Sequence, residues 1–245
     1  MSYDLWFRAP GSPPTLDELV AYFSAQPHVE VRENQAFYRH PDTGVYGSFD
    51  LDDRGDDRVC AFNLNYFRPH VFGLELEPLL TAFVGHFALG VEDPQGDGMG
   101  SGPYSPEGFL RGWNAGNAFA HEAILAHQAP DALFSQPRAR LEAVWNWNLR
   151  REQLQASFEV LLEPGFVPTL MYLVLPECPD RVTVCAVWGD AMPLALPDVA
   201  DQVILLGEGI DVPRHVAVDA VRPLLQDYPR IAPGSSHPTG LSLLS

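Results

Sequence analysis

Lysine is absent from all 245 residues, and each of the 15 basic side chains is an arginine. That absence removes whole classes of chemistry: Schiff-base lysines, the phosphate-gripping lysine of a P-loop and the nucleotide-anchoring lysine of a kinase. Basic charge is scarce as well as uniform, because 32 acidic residues leave a formal net charge of -17. Nucleic-acid affinity comes largely from Lys and Arg displacing counterions, so DNA, RNA and anionic membranes are poor partners for this balance. A basic protein suits it better, since complementary fields speed encounter.

Cysteine is nearly missing too. Cys60, Cys178 and Cys185 are three, so one at least is unpaired, and none sits in a CxxC. Cys60 and Cys185 lie in apolar, strand-like runs where a buried thiol is the usual state, and reduced thiols fit a cytoplasmic protein. The opening MSYDLWFRAPG carries an acid at Asp4 and too short an apolar run for a signal peptide. No window approaches the roughly 18 to 20 apolar residues of a spanning helix. GxSxG, SxxK and a strand-following GxGxxG are all absent, so the expectation is no cofactor and no catalytic motif.

What is present is core material: 46% hydrophobic and 11% aromatic residues. Tyr3 to Arg8 alternates as a strand. Thr15 with Glu18 three residues on is a capping box opening a helix over Leu16, Leu19, Val20 and Phe23. Val29 to Val31 reads as a short strand, and 36–40 with 45–51 as a hairpin turned at HPDTG. Arg58 to Phe67 alternates, with Cys60, Phe62, Leu64 and Tyr66 facing a core and Val59, Ala61, Asn63 and Asn65 facing away. Leu74 to Phe87 reads as a helix starting near Glu75 because of Pro78, and Leu89 to Glu92 as a strand-like exit. This order is that of a ferredoxin-like α+β fold over 1–95.

Next comes an acidic, glycine-rich run, GVEDPQGDGMGSG, and then Ser105 and Pro106 open another helix. Phe109, Trp113, Gly116, Ala120 and Ile124 share one face of it, with Asn114, Asn117 and His121 in a polar stripe beside them. Gly112 and Gly116 cost roughly 1 kcal/mol each in a helix interior, which suggests that they admit another chain segment closely. Arg138 to Phe158 reads as one long helix with Leu141, Trp145 and Leu149 inward. A hairpin (169–175 and 181–188), a strand at 202–206 and a helix at 216–225 follow. The expected organisation is an α+β half over 1–95, a linker and helical middle over 96–160, a second α+β half over 161–231 and a mobile tail from 232 to 245, with one continuous domain as the alternative.

Candidate sites are few. His121 and His127 stand six apart rather than the four of HExxH, about 240° around a helix, so they do not chelate one ion and no metal is expected. Asp93, Asp97, Gly98 and Ser101 lack the alternating acids and closing Glu of a calcium loop. The sharpest electrostatic feature is Asp50, Asp52, Asp53, Asp56 and Asp57, five carboxylates in eight positions. A chain carries such density either as a hydrated turn or as a patch awaiting Arg and Lys from a partner. In a different class stands a hydrolase or transferase site between the two halves. It would use Asp93, Asn114, Asn117 and His121, the histidine as acid or base and the amides holding an oxyanion.

The whole, a lysine-free, acidic α+β chain opening with MSYDLWF and lacking catalytic motifs, resembles bacterial proteins grouped with immunity proteins of polymorphic toxin systems. What the resemblance implies is a cytoplasmic antidote that binds and blocks a cognate toxin, often a basic nuclease. The five-aspartate turn would be a natural contact for it.

Overall fold

The computed structural model describes residues 1–52, 58–127, 134–159, 165–189, 194–206 and 214–221. The chain is α+β and divides into two compact units, Met1–Asp131 and Ala132–Ser245. The expected mobile tail, 232–245, lies outside the described residues.

The first unit opens with β1 (Ser2–Arg8), whose odd positions Tyr3, Leu5 and Phe7 are fully buried while the even ones stay half-buried. Helix α1 (Leu16–Ser24) starts at the expected capping box: Glu18 N–H donates to Thr15 Oγ1 and Thr15 N–H to Glu18 Oε2. Four antiparallel strands follow, β2 (Val29–Arg32), β3 (Gln35–Arg39), β4 (Tyr46–Asp50) and β5 (Arg58–Asn65). Val59, expected to face away, is buried beside Cys60, because the pairing with β1 shifts register there and breaks the alternation. Helix α2 (Val71–Phe87) begins at Val71 rather than near Glu75, with Pro78 inside it. Proline offers no N–H to the Leu74 carbonyl; the helix carries that loss while burying Leu76, Leu80, Phe83 and Val84. Then come β6 (Gly90–Glu92), β7 (Ser101–Pro103) and α3 (Pro106–His127).

The seven strands lie in the order β2-β3-β4-β5-β1-β6-β7, each pair antiparallel. Counting alternations, β1 and β2 run one way and β5 and β6 the other, with β1 inserted between β5 and β6. That is the ferredoxin-like arrangement, with a four-stranded meander where two strands suffice. The three helices cover one face. Phe7, Phe23 and Phe49 surround Phe83 with ring centroids 5.0 to 5.7 Å away, and Phe109 of α3 meets Tyr3 at 5.9 Å and Phe62 at 6.2 Å.

The two glycines of α3 do admit close neighbours. A Cβ on Gly112 would lie 3.0 Å from the Gly98 Cα and against the Tyr3 hydroxyl, and one on Gly116 would strike the Tyr66 ring. Helix α3 therefore packs inside the first unit, its buried Phe109, Trp113 and Asn117 turned toward the sheet.

In the second unit the expected long helix is two, α4 (Arg138–Leu149) and α5 (Arg151–Glu159), parted at Arg150. Its inward residues are Val144 and Asn148, not Leu149, which is 38% exposed. The reason is polar: Asn148 Nδ2 donates to the Leu170 carbonyl and its Oδ1 accepts Leu170 N–H, each at 2.9 Å. A four-stranded sheet is ordered β11-β10-β9-β8, from β8 (Leu170–Leu175), β9 (Cys178–Gly189), β10 (Gln202–Leu206) and β11 (Arg214–Ala217), with β9 and β10 parallel. The expected helix over 216–225 is instead β11 running into the single turn α6 (Val218–Val221), because Val216 pairs with Val203; residues beyond 221 lie outside the description. The core joins Val144, Val184, Ala186, Trp188 and Val203.

Candidate functional site

Strand alternation that buries one face of the first sheet leaves on the other a mixture of polar residues with Phe37, Ala61 and Trp6. Across it run cross-strand rows: Glu30, Phe37, Ser48, Asn63 and Asp4 in one, Gln35, Asp50, Ala61 and Trp6 in the next. Arg39 stands opposite Tyr46 in a third. Over β2 to β5 this face forms an open concavity of about 1190 Å³, which Phe37, Arg39, Tyr46, Ser48 and Asn65 help to line. Phe37 is 37% exposed, although it is a large apolar side chain.

Tyr46 Oη accepts from Arg68 Nε at 2.8 Å and Nη2 at 2.6 Å, and from Asn65 Nδ2 at 3.5 Å. Burial alone would push this phenol up, but the donations from Asn65 and Arg68 outweigh it and hold its pKa below the ordinary value. Farther along, the Arg58 guanidinium lies 3.9 Å above the Trp6 ring centroid, a cation–π contact. At the near edge, Arg32 and Glu30 pair at 2.7 and 2.8 Å.

The acidic turn begins where this face ends. Asp50 and Asp52 are exposed; Asp52 N–H donates to Asp50 Oδ1 at 3.1 Å, and Asn34 Nδ2 donates to Asp52 Oδ2 at 3.2 Å. Asp53, Asp56 and Asp57 lie outside the described residues.

The second candidate set is dispersed. Asp93, only 4% exposed, closes the β6–β7 connection: its Oδ1 accepts Gln95 N–H at 3.1 Å and Gly96 N–H at 3.4 Å, and its Oδ2 accepts Met99 N–H at 3.2 Å and the Tyr3 hydroxyl at 2.8 Å. Asn117 holds the chain after β5, accepting Phe67 N–H and donating to the Arg68 carbonyl, both at 2.7 Å. His121 Nδ1 lies 2.8 Å from the Asn117 carbonyl, one turn back, and its ring meets Phe67 at 5.2 Å. Asn114 is half-buried on the same helix. Tyr3, and Asp93 with it, reaches α3 at Gly112. His121 lies nine residues on, roughly 13 Å along the axis at 1.5 Å per residue. The structure brings Asn117 and His121 together and leaves Asp93 apart from them.

His127 Nδ1 lies 2.9 Å from the Ala123 carbonyl, so each α3 histidine is turned to its own helix. Among the described residues no three His, Cys, Asp or Glu side chains are grouped to hold a metal ion, and no helix is long and apolar enough to cross a membrane. The concave face was only half legible beforehand. Asn63 and Asn65 are outward in the β5 alternation, but nothing in the sequence joins them to Phe37, Arg39 and Tyr46 on other strands. No family model, curated protein or solved structure matches the chain.

Proposed function

We propose that this chain is an acidic protein-binding module, an immunity (antitoxin-like) protein that neutralises a cognate bacterial toxin in the cytoplasm. The observation that carries the reading is the exposed pair Asp50 and Asp52 at the end of β4, on the edge of the open sheet face. The sequence adds Asp53, Asp56 and Asp57 directly after them. A net charge of -17 favours a basic partner, whose approach that field would speed. The polar groups of Asp93 and Asn117 support the same reading from the other side, since each is already spent on holding backbone in place.

The test is capture by the immobilised full chain from an extract of the source bacterium, then affinity measurement on the purified partner. Changing all five aspartates to Asn is expected to weaken binding about tenfold or more and to flatten its salt dependence, with thermal stability unchanged. A captured partner that is acidic, or one that binds the Asn variant as tightly, defeats the reading.

A further inference from the structure

The concave face carries a cation that has no counter-ion among the described residues. Arg39 is exposed, and among the described residues its guanidinium has no ion pair or hydrogen bond. In a chain with 32 acids to 15 arginines, that isolation is not for want of carboxylates. The carboxylates on the same face of β1 to β5 are engaged or distant. Glu30, opposite Phe37, is held by both branches of Arg32. Asp4 is held by Ser2 and by Asn63 Nδ2 at 2.6 Å. Asp50 stands opposite Gln35, four residues from Arg39 along β3, roughly 13 Å at 3.4 Å per residue.

Around Arg39 the concavity offers donors. Tyr46 is its direct cross-strand partner. Three N–H groups of Arg68 and Asn65 already donate to the phenol oxygen, so the hydroxyl hydrogen remains to be given outward. Ser48, two residues on and facing the same way, adds a hydroxyl in no hydrogen bond among the described residues. Phe37 beside it supplies exposed apolar surface. A guanidinium with flanking hydroxyls is the donor set for a carboxylate, and Arg favours it by presenting parallel N–H groups. The concavity is half open and runs over several strands, so an extended polypeptide lying across the strands has access to it.

We propose that the concavity receives an acidic side chain of the protein partner, with Arg39 as its cation, the Tyr46 and Ser48 hydroxyls as lateral donors and Phe37 under the neighbouring residue. This rests on the reading of the chain as a protein-binding module. It adds a contact of opposite sign to the acidic turn, so that the partner is read at two places.

The experiment uses the full chain and two acetylated, amidated peptides, Gly-Phe-Glu-Gly-Glu-Gly and its Gln counterpart, titrated by calorimetry and by NMR of the arginine Nε–H signals. The Glu peptide is expected to bind about fivefold more tightly than the Gln peptide, with the Arg39 signal shifting. Arg39→Gln removes that preference, Arg39→Lys keeps part of it, and Arg181→Gln, exposed in the second unit, leaves it whole. Equal affinities, no binding of either peptide, or a preference that survives in Arg39→Gln overturns the proposal. Phosphate displacing the Glu peptide at equal concentration would also overturn it, showing a general anion site. None of these outcomes touches the test with the five aspartates, so the two readings fail separately.

Discussion

Asn117 holds Phe67 in a left-handed conformation. Phe67 has φ of 63°, and its N–H donates to Asn117 Oδ1 at 2.7 Å while Asn117 Nδ2 returns a bond to the next carbonyl. A bulky residue at positive φ is strained, and the amide opposite it, buried on α3, is what fixes the bend between β5 and α2. Asn117→Ala is therefore expected to destabilise the first unit by about 2 kcal/mol, since it orphans two backbone groups. Phe67→Gly in that background should recover part of the loss by relieving the strain. Urea unfolding of the three proteins measures both; a parent-like midpoint for Asn117→Ala would show that the clamp is idle.

Glycine substitutions in two helices separate intrinsic propensity from packing. Gly85 in α2 has open space where a Cβ would go, so Gly85→Ala is expected to stabilise by about 0.5 to 1 kcal/mol. Gly116 in α3 faces the Tyr66 hydroxyl and ring, and Gly116→Ala should destabilise despite the same gain in propensity. Thermal melts of the pair should move in opposite directions. A stabilising Gly116→Ala would mean that Tyr66 swings aside without cost.

Elements fixed by neighbours in sequence were the legible ones. The capping box at Thr15, the alternation of β1 and the outward Asn63 and Asn65 are local patterns, and the structure places each as read. What escaped was decided by distant partners. Whether residues 216 and 217 continue a strand depends on β10, and the inward face of α4 depends on the Leu170 backbone that Asn148 grips. The candidate site divides the same way. The aspartates show as a run, whereas Arg39 acquires its meaning only once β3 lies beside β4.

Buried thiols give a prediction about reactivity and pH. Cys60 and Cys185 are fully buried while Cys178 is partly exposed. Burial, then the nearby carboxylates Asp201 and Glu177, pushes the Cys185 thiol from its ordinary 9.0 up to about 11. In the native protein at pH 8, iodoacetamide is expected to modify Cys178 and spare the other two, as read by peptide mass spectrometry. The neutral thiol is favoured by folding, so this contribution is complete below about pH 9 and lost as pH rises through about 11. Cys185→Ala should lessen the fall in stability over that interval; modification of Cys185 as fast as Cys178 would contradict its burial.

Asp93 and Tyr3 allow the glycine-rich run to be tested as a built loop. Two carboxylate oxygens take three backbone N–H groups and one phenol, ninety positions away in the chain. Burial, with Asp93 next to it, drives the Tyr3 pKa far above the ordinary range, so the phenol stays a donor at any working pH. Tyr3→Phe removes one of four bonds and should cost about 1 kcal/mol. Asp93→Asn should cost more, about 2 kcal/mol. If its oxygen faces Gln95 and Gly96, its NH2 group must face the Met99 N–H, donor against donor. The two variants also differ in where the damage falls. Amide hydrogen exchange at Gly96 and Met99 should quicken markedly in Asp93→Asn and little in Tyr3→Phe. Equal exchange in both would mean that the loop is held by its own glycine turns and by Arg111, which donates to the carbonyls of Asp97 and Gly98, rather than by the carboxylate.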